Sequence, residues 1–167
     1  LGWDEAALKE RNPFRVADPT MTFILLRANR DLAVMGRALG EDVSDIEGWT
    51  ARLEAGAATL WNEDLASYDA KDLRAGRFAG CVSSASFLCW YGGVDDDRML
   101  AQVERVWSAV RYPVPSHDPE SPEFNAKRYW RGPTWCIINA LIGIGMADAG
   151  HEAQADRLRT ETAALIA

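Results

Sequence analysis

Within the eight residues from Arg128 to Trp135 stand two tryptophans, a tyrosine and two arginines, interrupted by Gly132-Pro133. Aromatic faces pack against the C–H surfaces of sugar rings, and hydroxyl groups at the ring edge need donors and acceptors around them. An arginine such as Arg131 can take a carboxylate through two parallel hydrogen bonds. The Gly-Pro turn stiffens the backbone between Trp130 and Trp135, so little entropy is lost when a ligand settles on them. Residue types in this order fit a pocket for a small, hydroxyl-rich ligand. They fit equally a helix entrance in which both tryptophans are core and Arg131 bonds loop carbonyls or an acidic neighbour.

Cleavage of a glycosidic bond needs two opposed carboxyl groups, one an acid and the other a base or nucleophile. The acidic candidates are Glu63, Asp64, Asp69, Asp72, Asp118, Glu120 and Glu123, of which Asp69 after Tyr68 stands first. A cap or a solvated loop accounts for each of them as well. Asp95-Asp96-Asp97 reads as a helix start, because the spacing of a calcium loop and its distal Glu are missing. His117 and His151 are the only histidines and no Cys-x-x-Cys pair exists, so no metal site is indicated. Neither histidine has a serine or cysteine in a recognisable nucleophile setting. Gly143 and Gly145 lie inside an apolar helical run, where close helix packing explains them better than phosphate binding does.

Elements must position these residues, and the bulk properties bound them. A chain of 167 residues suits one domain, and 48% hydrophobic residues suffice for a sizeable core. Seven tryptophans are many for this length and point to an aromatic core or a stacking site. A net charge of -7 argues against a nucleic-acid partner. No apolar run of about 20 residues exists, so no membrane span is expected. Cys81, Cys89 and Cys136 are an odd, widely spaced set that reads as buried free thiols in a reducing, cytoplasmic compartment. The chain opens on Leu1 and stops at Ala167 inside a helical pattern, which suggests a segment of a longer protein.

Helical periodicity carries most of the chain. Asp18-Pro19 starts a helix whose stripe is Met21, Ile24, Leu25, Ala28, Leu32, Met35 and Leu39, closed by Gly40. Ser44 with Glu47 predicts a capping box for the next, with Ile46, Trp49, Leu53, Ala57 and Leu60 inward. Residues 62–80 read as a loop or short hairpin. A third helix is expected from Ser83 or Ser84 through Trp90. A fourth starts at Asp95–Asp97 with Met99, Val103, Val106 and Trp107 inside. Four prolines make 112–124 an irregular loop. Helices over 134–149 and from His151 onward, with Ala155, Leu158, Thr162 and Leu165 inward, complete an all-α chain of paired helices. If the helices alternate in direction, the two long connections meet at one end. Long ordered loops in a compact domain are usually functional.

Tyr129-Trp130-Arg131-Gly132-Pro133-Thr134-Trp135, with Asn139 after it, resembles the Tyr-Trp-Arg-Gly-Pro-x-Trp motif of glycoside hydrolase family 63. Val16-Ala17-Asp18-Pro19, Leu60 to Asp64 with Tyr68-Asp69, and Val114-Pro115-Ser116 follow in the same order as in that family. The likeness covers most of the chain and points toward the bacterial glucosylglycerate hydrolases, with mannosylglycerate hydrolases close by. It implies that residues 1–167 are a single segment of a six-hairpin (α/α)6 barrel. It implies hydrolysis of a small α-glycoside with inversion and without a cofactor. Tyr129, Trp130 and Trp135 would line the substrate pocket, with Arg131 a weaker transfer. The family's general acid lies near an Asp-Asn-Ser and its general base in a Glu-Tyr-Phe-Asp-Pro-like motif. Neither motif occurs here, so the resemblance places both catalytic carboxylates outside the chain. Its partners would be the substrate and the remainder of the barrel, with a homo-oligomer left open. A non-catalytic helical interaction module and a sugar-binding relative without activity are the rival readings.

Overall fold

The computed structural model describes residues 4–167; Leu1, named above as the opening of the segment, lies outside them. Among the described residues the helices are α1 (Glu5–Arg11), α2 (Pro19–Leu39), α3 (Ser44–Ala58), α4 (Asp97–Ala109), α5 (Cys136–Asp148) and α6 (Glu152–Ile166). Five two-residue strands accompany them: β1 (Val16–Ala17), β2 (Trp61–Asn62), β3 (Ser67–Tyr68), β4 (Lys71–Asp72) and β5 (Arg77–Phe78). Periodicity does not reveal α1, which buries none of its residues. Its start is local: Asp4 caps it by accepting from the backbone N–H of Ala6 and Ala7 at 3.0 and 3.2 Å.

Two helical hairpins form the frame. In the first, Asp18 accepts from Met21 N at 3.1 Å, Pro19 opens α2, and Gly40 in the left-handed region turns the chain into α3. In the second, α5 and α6 pack side by side across the Ala149–His151 turn. Between the hairpins sits a 3-10 turn, Ser86–Cys89, packed against both α2 and α5. This corrects the expected third α-helix. Phe87, Leu88, Cys89 and Trp90 are all buried, so the segment has no solvent face along which a helix could run on. Neither Ser83 nor Ser84 caps it, Ala85 standing ahead of the turn; the Ser86 hydroxyl donates to Tyr68 O at 2.6 Å and ties the turn to β3. Burying side chains of this size contributes about 1.5–3 kcal/mol each, so this short turn is a large part of the core.

Several inward stripes also need correction. The buried face of α2 is Phe23, Leu26, Asn29 and Ala33, while Met21, Leu25, Leu32, Met35 and Leu39 are exposed. The helix is apolar on two faces, and periodicity alone does not say which of them meets α3 and the 3-10 turn. On α3, Trp49 is exposed and Ala57 buried, while Leu60, expected on the same stripe, is buried just beyond the end of the helix. The capping box is absent. Asp42 accepts from Ser44 N at 2.9 Å, and Glu47 pairs with Arg37 across the hairpin. On α6 only Leu158 is fully buried and Leu165 is exposed. The α4 stripe of Met99, Val103, Val106 and Trp107 is buried as expected. So is its start: Asp96 is the cap and accepts from Arg98 N at 3.0 Å. Asp95 instead accepts from the Trp90 indole at 3.0 Å and faces His151 Nε2 at 2.9 Å, joining the 3-10 turn to α6.

The 62–80 segment is two small hairpins. One pairs β2 with β3, and the other pairs β4 with β5 and with β1, Val16 standing opposite Asp72. Tyr68 is wedged edge-on between Phe23 and Trp61, at ring separations of 5.0 and 5.2 Å. Burial, aided by nearby negative charge, pushes its phenol up to about 12, so it stays neutral at ordinary pH. Cys81, Cys89 and Cys136 are free thiols, but only Cys89 is fully buried, in contrast to the expectation for all three.

Candidate functional site

The aromatic segment forms a folded-back turn ahead of α5. Arg128 N donates to Asn125 O, Arg131 N to Arg128 O, and Asn125 N back to Arg131 O, at 2.9, 3.0 and 2.7 Å. A Cβ at position 132 would stand inside 3.0 Å of Asn125 O and Ala126 N, so only glycine permits this closure. The turn is pinned to the proline loop: Gly132 N donates to Ser116 Oγ and Ser116 N to Pro133 O, both at 3.0 Å. Asn139, on the first turn of α5, fixes the other end of that loop. Its carboxamide accepts from Val114 N at 3.0 Å and donates to Pro113 O and to Thr162 Oγ1 at 2.6 and 2.9 Å.

This frame holds Tyr129, Trp130 and Trp135 against one another rather than in the core. Ring centres are 4.7 Å apart for Tyr129 and Trp135, 5.1 Å for Trp130 and Trp135, and 5.6 Å for Tyr129 and Trp130. The Trp135 indole donates to Tyr129 O at 3.2 Å. Tyr129 is 69% exposed and Trp130 53% exposed, so the core alternative for Trp130 does not hold. Trp135 is half-buried behind them. The result is an exposed, self-packed aromatic wall. Arg131 is exposed beside it, and its guanidinium has no hydrogen-bond or ion-pair partner among the described residues. The loop-carbonyl or acidic partner considered for Arg131 is therefore not found there.

The two long connections meet, and α4 holds both. Gln102 donates to Leu65 O at 2.7 Å, and three residues on, Arg105 takes Asp118 through two bonds of 3.0 and 2.8 Å and also pairs with Glu120. Residues three apart share a helix face, which explains why one helix reaches both loops. Above them Cys81 Sγ lies 3.2 Å from His117 Nδ1, and His117 Nε2 lies 3.1 Å from Ser121 Oγ. Burial, with the neighbouring carboxylates, pushes the Cys81 thiol up despite an N–H donated by Asp118. The pair is thus not an activated nucleophile.

For Asp118, burial alone would raise the pKa. The Arg105 guanidinium, the Glu120 N–H and His117 outweigh it, and the carboxyl falls below its ordinary 3.8. A group depressed in the folded state contributes stability above its unfolded value and loses it as pH falls through the folded one. The loop tie is therefore expected to be complete above about pH 5 and to weaken below about pH 4. Thermal midpoints of the whole protein across this range should fall more gently for Arg105→Gln, which lacks the tie at every pH. Parallel curves would contradict the assignment.

Of the acidic candidates, Glu63, Asp69, Asp72, Asp118 and Glu120 turn out to hold scaffold contacts. Asp69 is 2% exposed; its carboxylate accepts from the Asn62 amide at 3.0 Å and Gly80 N at 2.8 Å, closing the double hairpin. Asp72 accepts from Arg74 N and Ala75 N in the β4–β5 turn. Glu63 lies 3.8 Å from Arg98, whose guanidinium covers the Trp61 ring. A building role for Asp69 predicts that Asp69→Asn, which keeps an acceptor oxygen, leaves the hydrolysis implied by the family resemblance within about tenfold, whereas loss of a general acid or base costs about 100-fold or more. Among the described residues no group of three or more His, Cys, Asp or Glu could hold a metal ion. No helix there is long and apolar enough to cross a membrane. Sequence reasoning missed Ser116, Gln102 and Arg105 as holders of the site. The signal for Ser116 was a small hydroxyl residue set among prolines, opposite a glycine that must have a partner.

The model of the mannosylglycerate hydrolase MGH1-like glycoside hydrolase domain matches residues 1–167. Mannosylglycerate hydrolase MGH1 of Selaginella moellendorffii is 38% identical over 99% of the chain and 35% of its own length. Glucosylglycerate hydrolase of Mycolicibacterium hassiacum is 27% identical over 95% of the chain and 38% of its own length. A crystal structure of the GH63 mannosylglycerate hydrolase from Thermus thermophilus superposes with a TM-score of 0.93 at 37% identity, covering 98% of this chain and 41% of that one. The chain thus spans well under half the length of these relatives, and its helical hairpins are part of an (α/α)6 barrel. With its aromatic turn, its paired hairpins and these matches, the chain belongs to family 63 of the glycoside hydrolases, in the mannosylglycerate hydrolase MGH1-like group.

Proposed function

We propose that the chain is one segment, residues 1–167, of an enzyme that hydrolyses small α-glycosides of glycerate, and that it supplies a wall of the substrate pocket. The observation that carries this is the exposed trio of Tyr129, Trp130 and Trp135 on a pinned turn, with the free guanidinium of Arg131 beside it. The trio offers faces for a sugar ring or the glycerate carbons, and Arg131 a partner for a carboxylate. Relatives named for mannosylglycerate reach 38% identity and the one named for glucosylglycerate 27%, which favours mannosylglycerate as the first substrate to try.

The chemistry is inversion by two carboxyl groups contributed by other parts of the whole enzyme. One protonates the leaving oxygen while the other activates a water on the opposite face, about 6.5–9.5 Å away. The scaffold roles of Asp69, Asp72 and Asp118 fit that division. Apolar side chains left exposed on the hairpins, among them Leu25, Met35, Trp49, Ile137 and Ile144, support a remainder of the barrel packed over them. Free Cys81, Cys89 and Cys136 fit a reducing cytoplasmic setting.

The test is to incubate the whole enzyme with mannosylglycerate and glucosylglycerate and follow glycerate release and sugar anomer by NMR. Release of glycerate with the β-sugar as first product is expected. Retention of the α-anomer would overturn the inverting mechanism, and inertness toward both compounds would overturn the substrate class.

A further inference from the structure

We infer that Ser116 is a positioning residue for the aromatic wall: it holds the turn between Trp130 and Trp135 and so sets the angle at which both indoles meet a ligand. This rests on the pocket reading above. The backbone polar groups of the turn at Arg131, Gly132 and Pro133 find specific partners. Arg131 N and Arg131 O bond locally, to Arg128 O and Asn125 N. Pro133 has no N–H to place. Two of the others, Gly132 N and Pro133 O, both go to Ser116, at 3.0 Å each. One of these two bonds comes from the Ser116 backbone N–H and survives substitution by alanine or threonine. The other depends on the hydroxyl oxygen alone.

Ser116 is well placed for this. It is 4% exposed, and the neighbouring Pro115 forms an isolated antiparallel bridge with Thr134. Behind it, Pro113 O and Val114 N are gripped by the Asn139 side chain, so the strand that presents the hydroxyl is itself fixed to α5. Gly132 is buried, and Asn125 O already occupies the place a Cβ would take, so the backbone there is closely covered on that side. If the hydroxyl is removed, Gly132 N–H is buried without a partner. A buried unpaired donor is costly, and the available relief is for the turn to lift toward water. That movement carries Trp130 and Trp135 with it, since they flank Gly132 at separations of two and three residues.

Ser116→Ala and Ser116→Thr are to be compared in the whole enzyme; threonine keeps the oxygen. The readouts are KM and kcat on mannosylglycerate, thermal midpoint, and the near-UV circular dichroism of the tryptophan bands. Trp130→Phe and Trp135→Phe identify the part of the spectrum that comes from the wall. Ser116→Ala is expected to raise KM about tenfold with kcat within about twofold. It should also change the wall's dichroism, and Ser116→Thr should restore both. An unchanged wall spectrum in Ser116→Ala overturns the positioning role, whatever KM does. A changed spectrum with unchanged KM upholds that role and overturns the pocket reading instead.

Discussion

Trp130→Ala in the whole enzyme is expected to lower kcat/KM on mannosylglycerate about 30-fold while leaving the thermal midpoint within about 2 °C of the parent. A ring stacked on a sugar or on glycerate carbons contributes about 2 kcal/mol, and about 1.4 kcal/mol is tenfold. Trp130 is half exposed, and its ring contacts are with Tyr129 and Trp135, so its removal uncovers little core. Loss of activity without loss of stability is what separates a pocket wall from a packing residue. A midpoint that falls by about 5 °C, the scale of several kcal/mol in a protein more than twice the length of this chain, would mean that Trp130 is structural after all. Full activity would remove it from the site.

Gly145→Ala is expected to cause the largest loss of stability, about 3 kcal/mol or more. A Cβ there would stand inside 3.0 Å of Tyr91 N and Trp90 C, both of them backbone atoms that no rotamer change can move away. The helix would be driven off the 3-10 turn that joins the two hairpins. Gly143→Ala, one half-turn earlier, is the control. Its nearest neighbours would be Leu158 Cδ2 at 3.8 Å and Ala155 O at 4.0 Å, an ordinary contact. Alanine is the better helix former by about 1 kcal/mol, so this change should be neutral or stabilising. Urea unfolding of the two variants checks both expectations. Equal midpoints would show that α5 can move away from Trp90 and Tyr91 at no cost.

The glycines show what a sequence can and cannot say. Close helix packing was legible as the reason for Gly143 and Gly145, but only Gly145 has it. Which side of α5 meets the 3-10 turn is decided by the whole fold. The same limit explains α2. Its periodicity marked a helix correctly, yet its exposed Met21–Leu39 stripe competes with a second apolar face led by Phe23 and Leu26, and the sequence does not rank them. Segment 86–89 differs for another reason. Its residues are apolar on every side after Ser86, which removes the pattern that distinguishes one turn from a longer helix.

The aromatic turn was more legible than the core. Tyr129, Trp130, Trp135 and Arg131 were readable because their types are scarce and crowded around a Gly-Pro turn. What the sequence could not supply was the partner across the loop. Ser116 lies 16 residues from the Gly132 N–H that it accepts, and Asn139 lies 25 residues from Val114. Arg105 lies 13 residues from Asp118, and only folding brings these pairs together. Asp69 was legible as the first of the acidic candidates, with a cap or loop role as the rival account, but its partners were not. A buried carboxylate bonded to an amide and a backbone N–H is an anchor, and those partners lie 7 and 11 residues away.

The most direct test of the central claim is a crystal structure of the whole enzyme with an unreactive, thio-linked mannosylglycerate. The ligand's sugar ring or glycerate carbons are expected within about 4 Å of the Trp130 and Trp135 rings, with the turn still bonded to Ser116. A ligand bound productively elsewhere in the barrel, with both indoles bare, would contradict the account.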